Sequence, residues 1–173
     1  LASGIDTFTN RELQVELVSR VQLDGVQGVA RQGDQLLTFQ NSPAPTWQLS
    51  TTRENDLPLA LSQGAAPASI RDAALGERYA ALLVGPASAG EIQFLNLANV
   101  YDPTVAGSYP NNERLPIERV EVAGDNWLGL GNNALYQGGI GGGNVLIVNL
   151  GPQPAVDVAF SEDGVLVLYE DRV

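Results

Sequence analysis

The sequence predicts an all-β, propeller-like fold of about four blades, and three observations carry that expectation. A strand–turn–strand pattern recurs four times, at 26–37 (VQGVARQGDQLL), 70–83 (IRDAALGERYAALL), 117–130 (IERVEVAGDNWLGL) and 156–168 (VDVAFSEDGVLVL). Its turn glycines, Gly33, Gly76, Gly124 and Gly164, return at intervals of about 40–50 residues, the period of a repeat with several strands per unit. Helix signals are weak throughout, whereas short Val, Leu, Ile, Phe and Tyr runs stand between Gly, Pro, Asn and Asp.

Taken in order, the first unit (25–62) has its hairpin, a third strand at 46–50 and a fourth at 57–61. The second unit (66–110) turns at Gly76, with a third strand at 91–97 and a fourth at 104–109. In the third unit (115–152) the apolar run 144–150 reads as the third strand, and Gly151-Pro152 leaves little chain for a fourth. The last unit (154–173) holds only two strands. Strand-like segments near 7–9 and at 13–23 (LQVELVSRVQL) are therefore expected to complete it, so that residues 5–23 close one 173-residue domain. The alternative is half of a larger ring, completed by a second copy or by further chain.

Three stretches resemble known repeats. Asn96-Leu97-Ala98-Asn99-Val100-Tyr101-Asp102-Pro103 followed by Thr104-Val105-Ala106-Gly107-Ser108-Tyr109 is similar to the bacterial LVIVD-type propeller repeat. Leu146-Ile147-Val148-Asn149-Leu150 resembles its namesake strand, with Asn149 where that family more often has Asp. The run 154–169 (PAVDVAFSEDGVLVLY) is similar to the opening of YVTN- and WD-like blades. The resemblance implies propeller architecture and leaves activity open, because such blades host binding, scaffolding and enzymes alike.

Composition narrows the chemistry. Twenty Asp and Glu stand against nine basic residues, all Arg, for a net charge of −11. Such a surface repels phosphate backbones and anionic headgroups, so neither nucleic acid nor an acidic membrane is an expected partner. His and Cys are both absent. The usual neutral-pH base, the thiolate nucleophile, the Ser-His-Asp triad and the commonest transition-metal ligands go with them. No apolar run approaches the ~20 residues of a membrane-spanning helix. Lacking an initiator Met, the chain is expected to be a processed, secreted or cell-envelope protein.

Sites are expected in the loops at one end of the blades: 40–45, 85–90 and 131–143, with 62–67, 110–116 and 151–155. The glycine-rich 131–143 lacks a Walker Lys and a following helix, so it is no phosphate cradle. Asn132, Asn133 and Tyr136 in that loop, with Asn111 and Asn112, are the candidate partner contacts. Asn96, Asn99 and Asp102 offer oxygens at a spacing compatible with Ca²⁺, although no EF-hand loop is present; no other cofactor is expected. The acids beside the turn glycines, Asp34, Asp125 and Asp163, read as hairpin chemistry. The function expected is a non-enzymatic, acidic protein-interaction scaffold within a larger assembly, with self-association open. The alternative is a Ca²⁺- or carboxylate-dependent ligand-binding or hydrolytic propeller with its site at the channel mouth.

Overall fold

The computed structural model describes residues 25–52, 58–112, 116–161 and 164–169, and every regular element among them is a strand. Sheet 1 is β1 (Gly28–Gln32), β2 (Gln35–Gln40), β3 (Thr46–Thr51) and β4 (Leu59–Ala65). Sheet 2 is β5 (Ile70–Leu75), β6 (Tyr79–Val84), β7 (Ala89–Asn96) and β8 (Thr104–Asn112). Sheet 3 is β9 (Arg119–Ala123), β10 (Asn126–Gly131), β11 (Ala134–Gly139) and β12 (Leu146–Asn149), and sheet 4 is the hairpin β13 (Ala155–Ser161) and β14 (Gly164–Tyr169). Within each sheet the strands pair antiparallel in chain order. The all-β class and the four repeated hairpins stand as the sequence predicts.

Several boundaries differ. The stretch 131–143 is not a long loop: β10 and β11 meet in a tight turn at Asn132-Asn133, with Gly131 opposite Ala134. Both asparagines have positive φ (48° and 55°), as the two central residues of a hairpin turn twisted with its strands require. The third strand of sheet 3 is therefore β11, and the 144–150 run supplies its fourth strand, so this sheet is complete. In sheet 1 the fourth strand lies at Leu59–Ala65, later than 57–61, and a bulge between Leu49 and Ser50 interrupts its pairing with β3. Strand β8 runs on to Asn112, into the expected loop 110–116. The expected strands of residues 5–23 lie outside the described residues.

Gly138 of β11 misled because its role is to make room for an aromatic ring, as Gly64 of β4 does. Trp127 pairs across the sheet with Gly138, and Trp47 with Gly64. A Cβ on Gly138 would lie 2.7 Å from the Trp127 indole, and one on Gly64 would lie 2.5 Å from Trp47. Each ring covers its glycine's backbone, a cross-strand pairing that offsets the intrinsic weakness of glycine in a strand. Trp127 is fully buried and stacks at 6.3 Å from Phe94 and 5.2 Å from Tyr109, fastening sheet 3 to sheet 2.

Alternation decides how the sheets stack. On β6, Ala80, Leu82 and Val84 face sheet 1 and join Leu37 and Leu49 there. Ala81 and Leu83 face sheet 3 and join Ile117, Val120 and Trp127. The continuous apolar run Ala80–Val84 marks a strand buried on both faces. A third cluster sets Leu128, Leu130 and Leu135 of sheet 3 against Val158, Phe160 and Val167 of the hairpin. The lead strands pack in succession, β1 on β5, β5 on β9, and β9 on β13.

Side-chain bonds to backbone fix the first two junctions. The Asn41 amide donates to the Ile70 carbonyl at 2.9 Å and its oxygen accepts the Ile70 N–H at 2.7 Å. Asn111 treats Ile117 in the same way, at 2.9 and 2.8 Å. Arg71 donates to the Gly85 carbonyl at 2.7 Å and to that of Ile117 at 3.2 Å. Asp72 on β5 accepts the Val120 N–H of β9 at 2.8 Å. Asn111 is wholly buried, so truncating it leaves the Ile117 N–H unpaired and the Ile117 carbonyl with Arg71 alone. Asn111→Ala is expected to cost about 1–3 kcal/mol in urea unfolding. A cost within the noise of the measurement would show that this bidentate bond does not hold sheets 2 and 3.

Candidate functional site

Two cavities collect the polar side chains that the fold brings together. The first, of about 330 Å³, is lined by all four lead strands: Val29–Arg31 of β1, Asp72–Leu75 of β5, Arg119–Glu121 of β9 and Asp157 of β13. Local register explains the placement of its acids. Strands β5 and β13 carry the same bulge, between Ile70 and Asp72 and between Ala155 and Asp157, so the two aspartates occupy matching positions. Glu121 sits opposite Leu128, on the face of sheet 3 that looks towards the hairpin.

Burial dominates the electrostatics here. It pushes the Glu121 carboxyl from its ordinary 4.5 up to about 7, helped by Asp157 and Asp72 and opposed by the Val122 N–H. Asp72 is also raised, first by burial and against the opposing pull of the Val120 N–H and Arg119. Arg71 behind it is lowered by burial, with Glu118 and Asp72 opposing. Near neutral pH Glu121 is thus a carboxyl able to exchange a proton, in a cavity that Arg31 and Arg119 also line. Among the described residues no three acids converge as a metal-binding set.

The second cavity, about 630 Å³, opens at the junction of sheets 3 and 4. Glu118, Arg119, Leu130, Gly131, Asn132, Asn133, Pro154, Ala155 and Val156 line it. Of the predicted partner contacts it unites Asn132 and Asn133. Tyr136 is elsewhere: it is a β11 residue, buried in the core between sheets 2 and 3, with its hydroxyl pKa raised by that burial. Asn111 is spent inside the fold on Ile117, and Asn112 ends β8. The Asn96 and Asn99 side-chain oxygens accept the backbone N–H groups of Ala98 and Tyr101, and so shape the turn before Asp102. Asp125 pairs with Arg78 at 2.9 Å on the exposed rim.

Sequence reasoning missed Asp72, Glu121 and Asp157. A usable signal existed, since IRDAAL and AVDVAF both place an Asp two residues after the strand's first apolar residue. Asn41 left none, because its bond to Ile70 crosses between sheets. Set beside known proteins, the chain matches no family model and no curated protein.

Glu121 makes stability depend on pH in a definite direction. Its folded pKa lies above its unfolded value, so its stabilising contribution is full below about 4.5 and is lost as pH rises through about 7. Glu121 is half-buried, and solvent screening reduces the effect to about 1–2 kcal/mol. Glu121→Gln is expected to unfold at nearly the wild-type denaturant concentration at pH 5 and to be the more stable protein at pH 8.5. An unchanged pH slope in the variant would remove Glu121 from this role.

Proposed function

We propose that this chain is a non-enzymatic interaction scaffold of the secreted or envelope type. Its four sheets form a propeller whose last blade is completed by residues 5–23. The repeated resemblance to LVIVD, YVTN and WD-like blades agrees with that reading. So does the edge of β14, which has no neighbouring strand among the described residues. Beyond it Leu146 and Val148 lie on the same face of sheet 3 as Leu135, yet stand exposed where further strands of sheet 4 would cover them. Residues 13–23 alternate apolar side chains at Leu13, Val15, Leu17, Val21 and Leu23, which suits such a place. They precede β1 by 24–27, much as β4 precedes β5 by 66–69 and β12 precedes β13 by 150–154.

The observation that carries the interaction role is the open cleft at the sheet 3–sheet 4 junction, in a chain without His, Cys or Lys. Convergent carboxamides, one acid, one Arg and apolar walls suit recognition of a protein segment. The turn Gly33-Asp34 lies at the opposite strand ends. A photo-crosslinking residue placed at Asn133, in cells that make the chain, is expected to capture a protein partner, and one at Asp34 to capture none. Equal capture at the two positions, or none at position 133, would contradict the proposal.

A further inference from the structure

The first two junctions of the four sheets follow one rule, and among the described residues the third leaves it unfilled. At the first and second junctions an asparagine carboxamide binds both backbone groups of the residue that opens the next lead segment, Ile70 or Ile117. Ala155 stands at the matching place on β13. It pairs with Tyr169 as Ile70 pairs with Val84, and the same bulge follows both. By that register the Ala155 N–H and C=O turn away from β14, as those of Ile70 turn away from β6. Among the described residues no side chain bonds to either group. In place of a clamp there is the cavity of about 630 Å³ lined by Ala155. Asn132 follows β10 directly, as Asn41 follows β2, but it occupies a left-handed turn on the exposed side of the cleft.

We propose that this cleft is a binding site for a carboxamide side chain, Asn or Gln, carried on an extended segment of a protein partner. The incoming amide donates to the Ala155 carbonyl and its oxygen accepts the Ala155 N–H, repeating the bonds that Asn41 and Asn111 make internally. The selectivity follows from donor and acceptor count. A carboxylate offers no donor to the carbonyl, and an aliphatic side chain satisfies neither group. Asn132 and Asn133 at the rim supply further donors and acceptors for the segment's own backbone, and Leu130 and Val156 give it apolar contact. The site rests on the scaffold reading and specifies what that scaffold recognises.

The test uses the full chain and three blocked tripeptides, Gly-Asn-Gly, Gly-Asp-Gly and Gly-Leu-Gly, titrated in amide-resolved NMR. The Asn peptide is expected to give a saturable shift of the Ala155 N–H and of the Asn132 and Asn133 amides. The Asp and Leu peptides should bind about tenfold or more weakly, since each forfeits at least one of the two hydrogen bonds to Ala155. Ala155→Pro removes the N–H and should weaken the Asn peptide by a similar factor. Val156→Trp, which fills the cleft, should abolish binding and serves if the proline variant does not fold. Equal response to all three peptides, shifts centred elsewhere, or undiminished binding by both variants would overturn the site. Capture at position 133 alongside such a result would leave the scaffold reading standing, whereas loss of both would remove it as well.

Discussion

The structure depends on bonds that run from a side chain of one sheet to the backbone of the next. Antiparallel sheets satisfy their own interior, but the outward N–H and C=O groups of each lead segment have no strand to meet. Asn41, Asn111, Arg71 and Asp72 take such groups at Ile70, Ile117 and Val120. They therefore fix the spacing and rotation of successive sheets, a register that apolar packing alone leaves loose. Leu82 and Leu83 can then face opposite neighbours and both be fully buried. An unpaired backbone group costs about 1–3 kcal/mol, comparable with burying one large aliphatic side chain. Each clamp thus matters as much as a core residue.

The same constraint orders the functional chemistry. The clamp at the second junction is sealed, with Asn111 wholly inaccessible, and that at the first is half-buried. Between sheets 3 and 4 no described residue clamps Ala155, and the junction is open as a cleft. The inner acids obey a related logic. Asp72 reaches the next lead strand through Val120, whereas among the described residues its counterpart Asp157 accepts only its neighbour's N–H, from Val158 at 2.9 Å. Across the cavity from Asp157 lie Val29 to Arg31 of β1. A ring closed by sheet 4 on sheet 1 would give Asp157 the partner that Asp72 already has.

Much of the fold was legible because hairpins are local. A turn glycine beside an acid, set between apolar alternations, located β1–β2, β5–β6, β9–β10 and β13–β14. Gly138 of β11 was not legible as strand, since its reason for being there is Trp127, on the neighbouring strand. That single misreading moved Tyr136 into a loop and demoted the 144–150 run from fourth strand to third. Asn132 and Asn133 survived as exposed turn residues because Asn tolerates positive φ and marks turns in sequence. Asn111 did not, because nothing local signals that its carboxamide is consumed by Ile117. The candidate site was legible only in its turn residues; its acids and the Ala155 backbone meet through stacking of sheets far apart in sequence.

The proposed ring closure brings Asp157 of β13 beside β1, as Asp72 lies beside β9. The chain has no cysteine of its own, so an engineered pair reports this contact without background. Val29→Cys combined with Asp157→Cys, oxidised in dilute protein, is predicted to form one disulfide within a single chain at monomer mass. Two free thiols under the same oxidant, or disulfides that only join separate chains, would contradict the account.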